Sequence, residues 1–268
     1  MILGFRDVKR GFPDKPGKIL AIINQKGGVG KSTTAVNLSA ALGVNKKKVL
    51  VIDFDPQGNT TSGYGIEKEE LEHDIYDALL NDYPIEDLIL PTVENGVFVV
   101  PATIQLAGAE IELVSEMARE TILKNILAPI KDEFDYIFID CPPSLGLLTI
   151  NSLVAADALL IPIQCEFYAL EGVTKLLESM KMVKSRLNPS LDVFGVVMTM
   201  YDVRTTLSKQ VVEEVSRYFG NKVFKTIIPR SVKLSEAPSH GLPINRYARV
   251  SKGALAYARL AKEVTRRG

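Results

Sequence analysis

Short apolar runs alternate along the chain with longer stretches whose apolar positions recur at helical spacing, the pattern of β-α-β units around a parallel sheet. The runs Ile19–Asn24, Val49–Phe54, Val97–Pro101, Tyr136–Asp140, Ala158–Gln164, Val193–Met200 and Val223–Ile228 read as strands. Several are apolar almost without a break, as strands covered on both faces should be. Between the last of them, Val173, Leu176, Leu177, Met180, Val183 and Leu187 repeat at helical spacing until Asn188-Pro189 stops the helix. Right-handed crossovers then put the functional loops at the carboxyl ends of the strands. The expected fold is α/β, a single doubly wound, mainly parallel sheet with helices on both faces.

The first apolar run, Ile19 to Ile23, leads into Asn24-Gln25-Lys26-Gly27-Gly28-Val29-Gly30-Lys31-Ser32-Thr33-Thr34. A glycine-rich loop between strand and helix offers backbone N–H groups and a helix N-terminus to phosphate oxygens. Lys31 is placed to reach the β- and γ-phosphates, and the Ser32 hydroxyl to ligate Mg²⁺. Strand, loop, Lys-Ser pair and helix in that order predict a nucleoside triphosphate site. The loop has one irregularity. The ordinary motif has a glycine where Gln25 stands, and a second lysine, Lys26, follows it.

Asp53 and Asp55 close the second strand candidate, two residues apart and so on one side of an extended backbone. Asp140 closes another strand after Ile137-Phe138-Ile139. Each alone reads equally as a cap or turn residue. Facing a P-loop, carboxylates at strand ends suit Mg²⁺, which keeps several waters and takes only one or two protein oxygens.

At 268 residues and 46% hydrophobic content, the chain can bury the core of one α/β domain. It has no apolar run long enough for a membrane span. Met1 to Gly17 mixes charges with few apolar residues, lacks a secretory apolar stretch, and reads as a short, disordered extension ahead of a domain at 18–268. Cys141 and Cys165 end apolar runs outside any CxxC spacing, which fits buried thiols in a reducing cytoplasm rather than a zinc site. The zero net charge hides a division. Residues 1–180 hold 15 Lys and Arg against 26 Asp and Glu, and residues 181–268 hold 17 against 6. Such asymmetry suggests a polyanion-binding face or, equally, solvated charge on C-terminal helices.

The Lys-Gly-Gly-Val-Gly-Lys-Ser loop resembles the deviant Walker A motif of the ParA/MinD group of P-loop ATPases. Val-Ile-Asp-Phe-Asp-Pro-Gln-Gly-Asn (51–59), Pro-Ala-Thr-Ile-Gln-Leu-Ala-Gly (101–108), Tyr-Ile-Phe-Ile-Asp-Cys-Pro-Pro-Ser-Leu-Gly (136–146) and Ile-Pro-Arg-Ser-Val-Lys-Leu-Ser-Glu-Ala-Pro-Ser-His-Gly (228–241) resemble ParA/Soj partition ATPases, over about residues 18 to 265. That resemblance implies an ATPase using ATP and Mg²⁺. Gly27, Gly28, Val29, Gly30, Lys31, Ser32 and Thr33 would cradle phosphate, with Ser32, Asp53 and Asp140 at the metal and Asp55 orienting the attacking water. It implies that Lys26 reaches across a nucleotide-sandwich homodimer to phosphates bound by the other subunit, like an arginine finger in trans. Met200, Pro229 and Arg230 would flank the adenine, and Gln164 to Gly172 would face the dimer. Arg204 and Lys233 match positions that carry DNA-binding residues in Soj-type relatives, so nonspecific double-stranded DNA is the expected ligand, with a nucleoid-associated cytoplasmic location and a ParB-type centromere-binding partner that stimulates hydrolysis. Two other readings compete: a membrane-cycling ATPase like MinD, and a P-loop synthetase or kinase acting on a small molecule. The first needs a bulky amphipathic C-terminal helix, whereas 254–264 is alanine-rich. The second needs another substrate pocket, for which no residue set stands out.

Overall fold

The computed structural model describes residues 16–167, 169 and 171–268. The first half of the chain contains β1 (Lys18–Ile22), α1 (Lys31–Val44), β2 (Val49–Asp53), α2 (Asn59–Gly63), α3 (Ile75–Leu80), β3 (Leu90–Pro91), β4 (Val97–Val100), α4 (Leu106–Glu112) and α5 (Ile122–Leu127). There follow β5 (Tyr136–Asp140), α6 (Leu147–Ala155), β6 (Ala158–Gln164), α7 (Glu171–Arg186), β7 (Asp192–Thr199), α8 (Thr206–Phe219), α9 (Val232–Glu236), α10 (Ile244–Tyr247) and α11 (Lys252–Arg267).

Among the described residues the strands form one sheet in the order β3-β4-β2-β5-β1-β6-β7, parallel throughout except where β3 pairs antiparallel with β4. The strand order reverses at β1, with β5 on one side and β6 on the other. In an open α/β sheet a ligand crevice forms beyond the carboxyl end of the strand at such a switch point. The P-loop follows β1 there.

The period of two along each strand divides the core into two layers. Ile19, Ala21, Leu50, Ile52, Ile137 and Ile139 face α3 to α8, against Leu79, Leu127, Leu153, Leu176 and Val211. Leu20, Ile22, Val49, Val51 and Phe138 face the opposite layer, where Leu38 and Leu42 of α1 meet Ala256, Leu260 and Val264 of α11. Helix α11 buries small residues along its inner stripe, so the terminal helix packs close to α1 and is part of the domain. No described helix is long and apolar enough to cross a membrane.

One strand expected from the sequence does not form. At 223–228 one isolated bridge occurs, Val196 with Val223, and a second, Tyr201 with Pro229, lies just beyond. The Phe224 and Ile228 amides still donate to Val196 and Met198 of β7, but Lys225 N and Thr226 N both donate to Glu263 of α11 at 2.8 Å. With the alternate amides of 224 and 228 on β7, the one between them, Thr226 N, is taken by a side-chain carboxylate and the ladder is interrupted. The short antiparallel edge β3 was not anticipated; Pro91 cannot donate to a ladder and confines that strand to the edge. The stop after α7 is as expected, and Asn188 Nδ2 donates to Leu153 O at 3.0 Å and Ala156 O at 2.8 Å. Residues 1–15 of the expected extension, and Tyr168 and Leu170 of the expected dimer-facing segment, lie outside the described residues.

Candidate nucleotide site

The P-loop is bent by glycines where side chains would resist. Gly28 and Gly30 have φ of +73° and +92°, the left-handed region that glycine enters without steric cost. A Cβ at Gly27 or Gly28 would meet no protein atom within 4 Å, so backbone N–H groups there face open space of the kind a phosphate fills. The loop is braced from behind. Asn24 Nδ2 donates to Pro162 O at 2.8 Å and its Oδ1 accepts from Lys26 N at 3.0 Å, while Thr199 Oγ1 donates to Val29 O at 2.8 Å.

A cavity of about 450 Å³ opens over this loop, lined by Gly27, Gly28, Gly30, Lys31, Ser32 and Thr33 and closed by Asp55, Gln57, Pro143 and Pro238. Lys31 is buried along its wall. A second cavity of about 390 Å³ shares Gly30, Thr33, Met200 and Pro238 with the first and is walled by Thr199, Pro229, Arg230 and Tyr257. One elongated ligand can occupy both, with an anionic end on the loop and a flat group between the two loops that follow β7 and residue 228. Thus Met200, Pro229 and Arg230, expected from the family resemblance, do come together. Arg230 N donates to Tyr201 O at 2.9 Å, which ties the two loops. Met200 has φ +53°, a strained conformation for a non-glycine residue, and it lines both cavities at their junction.

The carboxylates divide by position. Asp53 and Asp140 are paired in register between β2 and β5, and both are fully buried. Asp53 Oδ2 accepts from Thr61 N and Thr61 Oγ1, each at 2.7 Å. Asp53 therefore braces α2, and of the three acids only Asp55 lines the cavity. Asp140 Oδ2 accepts from Thr60 Oγ1 at 2.8 Å, and its Oδ1 is buried with no hydrogen-bond partner. Burial, then the neighbouring Asp140 charge, pushes the Asp53 carboxyl far up from its usual range. Burial pushes Asp140 up as well, partly offset by the Ser32 and Thr60 hydroxyls and the Lys31 ammonium. Asp55 is buried at the cavity edge, and its Oδ1 accepts from Gln57 N at 3.0 Å. The orphaned carboxylate oxygen of Asp140, beside Ser32, is a hard oxygen donor of the kind a divalent cation takes. No group of three or more His, Cys, Asp or Glu forms a metal cage among the described residues. That suits Mg²⁺, which fills its octahedron mainly with water and phosphate.

Lys26 points elsewhere. Its Nζ pairs with Glu166 Oε2 at 2.9 Å, and Gln164 Nε2 donates to the other oxygen of Glu166. It does not line the cavity over its own loop. The expected DNA contacts are also ion-paired. Arg204 NH2 lies 2.6 Å from Asp202 Oδ2, and Lys233 Nζ lies 2.9 Å from Glu236 Oε2. Burial pushes the Cys141 and Cys165 thiols up to about 12, so both stay protonated and inert.

Sequence reasoning missed Thr60 and Thr61, which hold the two buried aspartates, and the pairing of Lys26 with Glu166 in the segment expected to face the dimer. It also missed Tyr257, whose hydroxyl lies 3.2 Å from Thr34 Oγ1 beneath the second cavity. The threonines had a visible signal, hydroxyl residues opening a helix just after Asp55-Pro56-Gln57-Gly58. Tyr257 had none, since it lies more than two hundred residues from the P-loop.

A phosphate-cradling loop at the switch point of a parallel sheet, with acids at the neighbouring strand ends, defines a P-loop nucleotide-hydrolase fold. A family profile described as an AAA domain matches residues 17–193. The chain is 57% identical over 252 residues to the sporulation initiation inhibitor protein Soj of Bacillus subtilis, covering 94% of this chain and all of that one. It is 53% identical to the chromosome-partitioning ATPase Soj of Treponema pallidum, over 94% of this chain and 98% of the relative. A solved structure described as cobyrinic acid a,c-diamide synthase from Mycobacterium smegmatis, with bound ATP analog and magnesium, is similar at a TM-score of 0.82 and 38% identity, covering 93% and 95% of the two chains. The chain belongs to the ParA/Soj family of partition ATPases.

Proposed function

We propose that this chain is a DNA-partition ATPase whose ATP-bound form closes a two-fold dimer, binds double-stranded DNA without sequence preference, and leaves it after hydrolysis stimulated by a ParB-type centromere-binding protein. The loop 27–33 holds the phosphates, Lys31 neutralises charge on the β- and γ-phosphates, and Met200, Pro229 and Arg230 enclose the adenine. Ser32 and Asp140 hold Mg²⁺, which when bound draws charge from the transferring phosphoryl group. Asp55 orients the attacking water at the cavity edge. Asp53 serves the metal site indirectly, by holding α2 through Thr61. Localisation to the cytoplasm and the nucleoid follows from DNA binding.

One observation carries the dimer: Lys26, on the phosphate loop itself, points out of its own cavity to an exposed pair with Glu166. Two triphosphates enclosed between facing subunits gather negative charge in a desolvated space, and a lysine on each rim is placed to offset it. Lys26→Ala should bind nucleotide yet fail to dimerise with ATP. Light scattering with ATP and with ADP tests this, and a Lys26→Ala protein that dimerises like the unmodified chain would refute the assignment. The synthetase reading is weaker than the partition reading. The two cavities share Gly30, Thr33, Met200 and Pro238, so one nucleotide can span both, and neither of them stands apart as a second substrate pocket.

A further inference from the structure

The loop that carries Arg204 and the short helix α9 that carries Lys233, in the loop segment after residue 228, also carry carboxylates already bound to them. Arg204 grips Asp202 with two N–H groups, Nε to Oδ1 at 2.9 Å and NH2 to Oδ2 at 2.6 Å. Asp202 is the fixed partner: its Oδ1 accepts from Arg204 N at 3.0 Å, its carbonyl accepts from Thr205 N at 3.1 Å, and its side chain is 17% exposed against 82% for Arg204. The second loop repeats the arrangement. Lys233 Nζ lies 2.9 Å from Glu236 Oε2, which also accepts from Tyr247 Oη at 2.9 Å. The contrast is sharp at Asp202 and weaker at Glu236, whose side chain is 40% exposed against 54% for Lys233, with Tyr247 holding the carboxylate by its hydroxyl and the Lys233 ammonium over its ring at 5.5 Å.

We propose that Asp202 and Glu236 are built-in competitors for DNA phosphate, each occupying a DNA-facing cation until a phosphate oxygen displaces it. The inference rests on the DNA-binding reading above. A cation that must leave one anion to gain another recovers only the difference between them, so each contact is weakened and its release accelerated. Such weakening fits a protein whose DNA contact has to be given up in every hydrolysis cycle. The carboxylates thereby set the affinity ceiling of the basic face, and a phosphate-only view of Arg204 and Lys233 overstates it.

The test measures binding of long duplex DNA by the full chain, saturated with a non-hydrolysable ATP analogue, across a salt series. Saturation matters because Arg230, on the wall of the second cavity, is another cation whose charge reaches Asp202. Asp202→Asn keeps an oxygen for the Arg204 amide and should bind DNA roughly two- to fivefold tighter, with a steeper salt dependence. The gain should vanish when Arg204→Ala is added, because the competition acts through that guanidinium. Glu236→Gln, alone and with Lys233→Ala, should repeat the result at the second loop. If both carboxylate variants bind no tighter while the unmodified chain binds, the competition is wrong and DNA binding stands. A gain that survives removal of Arg204 and of Lys233 is a general charge effect and overturns the proposal. If no variant and no unmodified protein binds DNA, both readings fall together.

Discussion

The interior and the rim of this molecule hold their charges in opposite ways. Inside, Asp53 and Asp140 are fully buried at adjacent strand ends, and their hydrogen bonds come from the neutral groups of Thr60 and Thr61. At the rim, Lys26, Arg204 and Lys233 are exposed, and each is matched to a carboxylate of its own chain at 2.6 to 2.9 Å. The interior sets the three buried carboxylates Asp53, Asp55 and Asp140 against the one buried ammonium of Lys31 and pays for burying the excess charge, a large penalty in a low-dielectric setting. The rim is charge-balanced in loose pairs worth little individually. The nucleotide site is thus arranged to accept a metal and a phosphate chain. Under the proposed function, the rim cations would exchange partners, for the phosphates of another subunit or for DNA.

If the interior is built for chemistry, its reacting edge should be separable from binding. Asp55→Ala should lower single-turnover hydrolysis by about 10²- to 10⁴-fold, the range for losing a group that positions or activates the nucleophile. The ATP-bound dimer should persist and accumulate, because the phosphate cradle is untouched. Rapid-quench measurements alongside light scattering check both halves. Loss of dimer and hydrolysis together would mean that Asp55 holds the fold of the loop rather than the water.

A smaller effect sharpens the account of the buried pair. Thr61→Val removes the hydroxyl that donates to Asp53 and accepts from Ala102 N at 3.0 Å. Leaving a buried acceptor short should cost about 1–3 kcal/mol of stability, read from urea unfolding of the nucleotide-free protein. The equivalent change at the rim, Glu166→Gln, should move stability by less than about 1 kcal/mol. Equal losses at the two places would erase the distinction between interior and rim.

The smallest effect is in pH. Asp53 and Asp140 have folded pKa values raised above those of the unfolded chain. The folded state therefore keeps protons that the unfolded state has lost, so stability falls as pH rises from about 4 toward the raised values and levels off above them. Asp53→Asn removes much of this penalty. The stability difference between Asp53→Asn and the unmodified chain should grow in favour of the variant from pH 4 to 8 in nucleotide-free thermal melts. A constant difference across that range would mean that the buried pair does not titrate as its surroundings dictate.

The parts of this site legible in the sequence were those where chemistry dictates residue type locally. Gly28, Gly30, Lys31 and Ser32 could be read because a phosphate cradle fixes both backbone and side chain within a few residues. The sheet could be read because each central strand is apolar on both faces. Most of what escaped depends on residues far apart in the chain, the Asp53–Thr61 contact being the local exception. Residues 223–228 have the composition of a strand, but Glu263 takes two of their amides. Asp53 has the spacing of a metal ligand, but Thr61 occupies its carboxylate. Lys26 was conspicuous in the loop, yet nothing local showed that Glu166 would draw it outward.

The outward lysine gives the most direct test of the central claim, that each subunit completes the other's site. Lys26→Ala and Asp55→Ala are expected to be inactive alone. Mixed with ATP, they can form a heterodimer in which the nucleotide of the Lys26→Ala subunit has its own Asp55 and the Lys26 of its neighbour. If Lys26 acts in trans, the mixture should hydrolyse ATP at a rate that neither variant reaches by itself, with an optimum near equal proportions. If Lys26 acts within its own subunit, no combination contains a complete site, and a mixture that stays inert while heterodimers form would contradict the account.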